Sequence, residues 1–200
     1  MYLIRVVPVV ALCLVAACAA DPGRDVQPMA PPLAGALPGA ATTEIIPMEQ
    51  VRKSQAAAVS QRVANTEVTL TYSRPVARGR VLFGGIVPYG QVWNPGADQA
   101  TAVTFSRDVM VNGQALAGGK YSLWSIPAAD RWTMIFSRAA DVYHTPYPGE
   151  GQDVLRLDIT PEVAAHAEVM TFDFPLVEGK DAVLRFHWGT TSVPMTVTVP

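Results

Sequence analysis

Residues 55–200 of this chain predict an all-β fold, a single antiparallel β-sandwich with a jelly-roll-like arrangement. Three observations carry that expectation. Polar and apolar residues alternate with period two in segment after segment, which buries one face of a sheet and solvates the other. Tight-turn residues punctuate those segments. The segments are short and number eight or nine, enough for two packed layers. Periodicity alone leaves a closed barrel open as the alternative.

The chain begins with a different kind of signal. Residues 1–5 carry one positive charge at Arg5, and residues 6–17 are apolar apart from Pro8. A membrane-spanning helix needs ~20 apolar residues, so this run is too short to span and has the length of a signal-peptide core. It ends in Val15-Ala16-Ala17-Cys18, which resembles the lipobox of bacterial lipoproteins. The expectation is a signal peptide over residues 1–17, cleaved so that a diacylated Cys18 becomes the first residue. Cys13 follows Leu12, too bulky for the small residue usual at that place. Each buried acyl methylene contributes ~0.8 kcal/mol, so two or three chains hold a protein firmly to a bilayer. An ordinary secretory signal is the competing reading.

Residues 18–54 are expected to be the lipidated cysteine and a disordered tether. More than half of residues 19–47 are Ala, Pro or Gly, with no apolar face to offset the entropy of ordering. As a random coil, such a tether would separate domain and membrane by ~30 Å. Residues 44–63 admit a short helix or a first edge strand.

Within the domain, residues 67–72 alternate around Val68, Leu70 and Tyr72. Asn112-Gly113 between two apolar triplets is a strong short-range hairpin signal. Gly118-Gly119 opens a strand over 120–126, and Pro127 to Asp130 turn it into another over 131–137. Further alternation runs through Leu155, Leu157 and Ile159, then through Met170, Phe172, Phe174 and Leu176. It continues through Leu184, Phe186 and Trp188 and closes with Val193, Met195, Val197 and Val199. Residues 161–169 read as a short helical or irregular link.

Residues 72–101 do not behave as a strand. Glycines 79, 84, 85, 90 and 96 and prolines 75, 88 and 95 make a long loop with fixed corners, and loops of that length in compact domains are usually ordered for a purpose. No acidic residue lies between Glu67 and Asp98, whereas Arg74, Arg78 and Arg80 fall close together. Guanidinium forks beside glycine N–H groups suit a carboxylate or phosphate, and Tyr89 and Trp93 suit a sugar face. Arg74, Arg78, Arg80, Tyr89 and Trp93 are therefore the candidate ligand-binding residues. The competing reading is that the arginines staple the loop through backbone carbonyls while Phe83, Tyr89 and Trp93 form its apolar underside.

The composition closes several doors. Both cysteines lie in the export segment, so the mature domain has no disulfide, no thiolate nucleophile and no Cys-based metal site. A net charge of -2 gives no reason to expect a nucleic-acid partner. Nucleophile elbows, phosphate-cradling loops and His-Glu-x-x-His pairs are missing from the sequence. His144, His166 and His187 are widely spaced, Ser73, Ser122 and Ser125 lack a partner pattern, and Asp153 and Asp158 fall on opposite faces of a regular strand. No catalytic residue, cofactor or metal is expected.

Several motifs in register resemble a bacterial family, domain of unknown function 2911. They are Tyr72-Ser73-Arg74-Pro75 with Arg78-Gly79-Arg80, then Phe83-Gly84-Gly85 with Val87-Pro88-Tyr89-Gly90 and Val92-Trp93, then Gly96-Ala97 with Ala100-Thr101. Residues 117–127, residues 132–136 and Thr145-Pro146-Tyr147 continue the resemblance in the same order, over roughly residues 55–199. It implies an exported protein, often a lipoprotein, with no established activity or cofactor. The family usually has an arginine and a glutamate where this chain has Asn94 and Gln99, so any function resting on that glutamate is absent here or supplied otherwise.

The functional expectation is a non-enzymatic binding module for a sugar-like or anionic small ligand, held to the cell envelope through Cys18. Outer membrane is preferred over inner, because Ala19 stands where an aspartate often retains lipoproteins at the inner membrane. A structural partner of another envelope protein is one alternative. An envelope hydrolase using His144 and an aspartate such as Asp98 is the other.

Overall fold

Strand pairing accounts for nearly all regular structure in the part of the chain the structure describes. The computed structural model describes residues 53–200. The expected signal peptide, Cys18 and nearly all of the tether, residues 1–52, lie outside the described residues. Ten strands follow in order: β1 (Gln55–Val63), β2 (Thr66–Arg74), β3 (Ala102–Phe105), β4 (Val109–Val111), β5 (Gln114–Leu116), β6 (Gly119–Ile126), β7 (Trp132–Ser137), β8 (Asp153–Ile159), β9 (Glu162–Glu178) and β10 (Asp181–Thr198). A 3-10 turn at Glu150–Gln152 precedes β8.

Two antiparallel sheets result. One has the order β1-β2-β3-β6-β7-β8 and the other β5-β4-β10-β9. Each ends in edge strands, so the architecture is the two-layer sandwich rather than the closed barrel. Alternation explains the packing: β2 buries Val68, Leu70 and Tyr72, and β10 buries Leu184, Phe186 and Trp188. Their side chains meet between the sheets, with Tyr72 edge-on to Phe172 at 5.1 Å and Trp132 against Phe186 at 5.4 Å. Every buried residue of this core lies between Val63 and Val199, and the described residues belong to one compact unit. A unit with its own core is expected to fold on its own.

The Asn112-Gly113 hairpin joins β4 to β5, both residues having positive φ as a primed turn requires. The Asn112 side-chain oxygen also accepts a hydrogen bond from the Thr196 N–H at 2.7 Å, which ties the turn to β10. The turn over residues 127–130 lies between β6 and β7 as expected.

Residues 161–169 depart from expectation. From Glu162 on they are the first half of β9, not a helical or irregular link. They pair with the far half of β10, Val163 opposite Thr191, across irregularities on either side of Gly189. This half of β9 has no buried residue until Met170: Val163, Ala165, Ala167 and Val169 share one face, but none of them is buried, so the pattern marks no core face. Main-chain pairing holds it, and pairing leaves no trace in side-chain type.

β6 is buried on both faces. Its outer face carries Trp124, which with Ile135 and Ala100 forms a second, smaller cluster under Val142 and Tyr147 of the long β7–β8 connection. An ionic group pins that connection. The Tyr147 hydroxyl donates to Asp153 at 2.5 Å, Arg156 Nε donates to Asp153 at 2.7 Å, and Arg156 also reaches Glu150 at 3.1 Å. A ladder irregularity between Phe136 and Ser137 removes the regular register that would put Asp153 and Asp158 on opposite faces.

Burial, and next the Asp153 carboxylate, push the Tyr147 phenol up to about 12 from 10.0. A raised phenol pKa means stability that is fully present below pH 10.0 and lost as pH rises through about 12. Tyr147→Phe is expected to lower stability at neutral pH by ~1–2 kcal/mol, since the lost hydrogen bond is charge-assisted. It should also flatten the alkaline end of the stability curve. Urea unfolding at pH 8 and pH 11 checks both, and an alkaline profile unchanged by the substitution would refute the assignment.

Candidate functional site

β2 ends at Arg74 and β3 begins at Ala102, so the long loop occupies the predicted place. Local chemistry folds it tightly. Ile86 N–H donates to Val81 O at 3.0 Å and Val87 N–H to Leu82 O at 2.9 Å, closing a turn over residues 81–87. Val76 bridges Val169 of β9, and Trp93 exchanges both main-chain hydrogen bonds with Ser125 of β6 at 2.8 Å. Leu82 and Val87 are buried beneath the turn. Phe83 and Trp93 sit half-buried in an aromatic group with Trp132, Phe186 and Trp188.

Between this loop and the β9–β10 pair lies an open cleft of about 310 Å³. Arg80, Leu82, Phe83 and Tyr89 form one side. His166 of β9 and Gly189, Thr190 and Thr191 of β10 form the other, with Trp188 at the base. Gly189 is required here: it has φ of +58°, and a Cβ on it would stand 2.8 Å from Leu82 Cδ1. The loop thus seats against β10 at its one residue without a side chain.

The five predicted residues divide. Arg80 and Tyr89 line the cleft. Arg80 also staples the loop, its Nε bonding Ala77 O at 2.9 Å and its Nη2 bonding Val76 O at 2.6 Å. Arg74 donates to Met170 O at 3.0 Å and to Thr171 Oγ1 at 2.8 Å, joining loop to β9. Arg78 is exposed, and its main-chain N–H donates to Glu168 at 2.6 Å. Trp93 does not line the cleft; its ring stacks on Trp188, with centroids 6.3 Å apart and planes 14° apart. The structure therefore brings two of the five to one opening and gives Arg74 and Trp93 structural contacts.

His166, Trp188, Thr190 and Thr191 are the cleft residues that the sequence reading did not single out. A glycine interrupting the β10 alternation directly after Trp188 was the available signal, because glycine inside a strand marks a bulge or a close approach. His166 Nε2 lies 3.0 Å from Glu168, whose carboxyl is held below its ordinary range by that contact first and by the Arg78 N–H second. The histidine rim therefore faces a carboxylate that stays charged into mildly acidic solution.

His144 contacts Asp98 through the main chain, with Nδ1 2.7 Å from the Asp98 carbonyl oxygen and the ring packed on Tyr143. Ser122 and Ser125 are buried, bonded to main-chain oxygens at Ala139 and Trp93. Among the described residues, no three His, Cys, Asp or Glu side chains gather in a metal-holding arrangement.

A family model described as a protein of unknown function, DUF2911, matches residues 54–197, which takes in the loop and all of both sheets but the last residue of β10. The chain belongs to the DUF2911 family. No curated protein and no solved structure matches it. The DUF2911 motif residues quoted above are mostly the framework of the loop. Tyr72 Oη accepts the Phe172 N–H at 3.1 Å, and Thr101 Oγ1 donates to Pro95 O at 2.6 Å. Asn94 is buried: its Nδ2 donates to Leu123 O at 2.8 Å and its Oδ1 accepts the Thr101 N–H at 3.3 Å. In this member of DUF2911 that position closes the loop onto β6.

Proposed function

We propose that the domain is a non-enzymatic binding module of an envelope lipoprotein, taking a small anionic, sugar-like ligand in the cleft beside the loop. The observation that carries the reading is that Arg80, Tyr89, His166, Thr190 and Thr191 line one opening together with Trp188. A guanidinium with two nitrogens bonded to main-chain carbonyls is held rigid, and its remaining N–H groups suit a carboxylate or phosphate. Threonine hydroxyls pair with ligand hydroxyls, and an exposed tyrosine ring packs against a sugar face. A volume of about 310 Å³ suits one sugar ring. Acylation at Cys18 and an outer-membrane address, expected from the first residues, belong to the same proposal.

Calorimetric titration of residues 46–200 with glucuronate, against glucose as neutral control, tests the cleft. Glucuronate should bind and glucose should bind more weakly. Arg80→Ala should weaken glucuronate by at least ~tenfold, the worth of a charge-assisted hydrogen bond. No heat from either sugar, or equal affinity of wild type and Arg80→Ala, would refute the reading. The address is tested on the full chain by labelled palmitate, which Cys18→Ser should fail to incorporate; label retained in that variant would remove the anchor.

A further inference from the structure

Four apolar side chains on the loop face solvent. Val81 is 71% exposed, Ile86 and Tyr89 are each 46% exposed, and Val92 is 38% exposed. Val81 and Ile86 are neighbours across the turn, joined by the Ile86 N–H to Val81 O hydrogen bond. This is no frayed tip. Leu82 and Val87 plug the turn into the core, and Gly84 N–H donates to Val87 O at 2.9 Å. A well-held turn thus displays aliphatic groups where solubility would favour polar ones.

Arginines outnumber acids around them. Arg78 and Arg80 are exposed, and no acidic residue occurs between Glu67 and Asp98. The nearby Glu168 is engaged by His166 and by the Arg78 N–H. The chain also enters the domain at this end: Gln55, first residue of β1, is the register partner of Arg74, the last residue before the loop. Exposed Lys53 lies two residues before that entry.

We propose that this end docks on an anionic lipid bilayer. Val81 and Ile86 enter the interface, Tyr89 and Val92 lie at headgroup level, and Arg78 and Arg80 meet lipid phosphates. Apolar insertion and basic attraction are two weak signals that add to a stable one. The surface shares Arg80 and Tyr89 with the cleft, but Val81 and Ile86, which carry the insertion, do not line it. It also does not rest on ligand binding there.

Flotation of residues 46–200 with vesicles of phosphatidylglycerol and phosphatidylcholine, against phosphatidylcholine alone, tests it without any acyl anchor. Binding should appear only on the anionic vesicles and should weaken in high salt, which screens the arginines. The double variant Val81→Ser, Ile86→Ser should bind at least ~tenfold more weakly, and Arg78→Ala ~fivefold more weakly. Both changes are at exposed positions and should leave glucuronate titration unaltered, so a failure here is separable from a failure of the cleft. No flotation with anionic vesicles, or flotation undiminished by the double variant, would overturn the proposal.

Discussion

Trp132→Ala is expected to cost the domain ~3–5 kcal/mol, the range for removing a large aromatic from a close-packed core. Trp132 is 1% exposed and touches both sheets and the loop. Its ring lies 4.7 Å from Phe83, 6.4 Å from Trp93 and 5.4 Å from Phe186, so its loss opens a void that three other rings border. Domains of this size are stable by ~5–15 kcal/mol, so the variant should sit near the edge of folding. A fall in melting temperature of ~10–20 °C corresponds to that loss. Trp132→Phe, which keeps an aromatic ring in place, should recover more than half of it. Urea unfolding of residues 46–200 measures both. If alanine proved as mild as phenylalanine, the ring group would not be the joint between loop and sheets.

Gly85→Ala is expected to break the turn over residues 81–87 while leaving the sandwich standing. A Cβ at Gly85 would lie 2.2 Å from Val81 O and 2.8 Å from Val81 C. Those are main-chain atoms closed into the turn by the Ile86 hydrogen bond, so the clash cannot be relieved by rotating a side chain. Overpacking of this kind costs ~1–3 kcal/mol where the structure can shift. The shift falls on the loop, so the cost should appear as local opening more than as global unfolding. Limited proteolysis between residues 80 and 92 should accelerate by ~tenfold or more, and glucuronate binding and vesicle flotation should both fall. Gly90 is the control. Nothing lies within 4 Å of its added Cβ, and the cost of alanine there is the ~1 kcal/mol of a positive φ. Equal protease sensitivity in the two variants would show that backbone strain, rather than the close approach to Val81, governs the loop.

The two variants test different layers of what was legible beforehand. Strands with one buried face announced themselves: β2, β8 and the two halves of β10 were readable because a half-buried strand must alternate. Residues 161–169 were not, because both faces of that part of β9 lack buried residues and only main-chain partners place it. In the loop, residue types pointed to the right region without assigning roles. Arg74 and Arg80 have the same chemistry in sequence, yet Arg74 bonds β9 and Arg80 lines an opening. Trp93 and Tyr89 are both aromatic, but one packs on Trp188 and the other is exposed.

From the sequence alone came the layered all-β fold, the absence of any cysteine in the domain, the ordered loop between Arg74 and Ala102, and the membership implied by its motifs. These are local properties: alternation, turn chemistry and residue identity act over a few positions. The tertiary structure decided which loop residues meet His166, Thr190 and Thr191, and which aliphatic side chains remain outside the core. Those contacts join residues about a hundred positions apart. They depend on how β9 and β10 bend at Gly189, and a short window of sequence does not encode that bend.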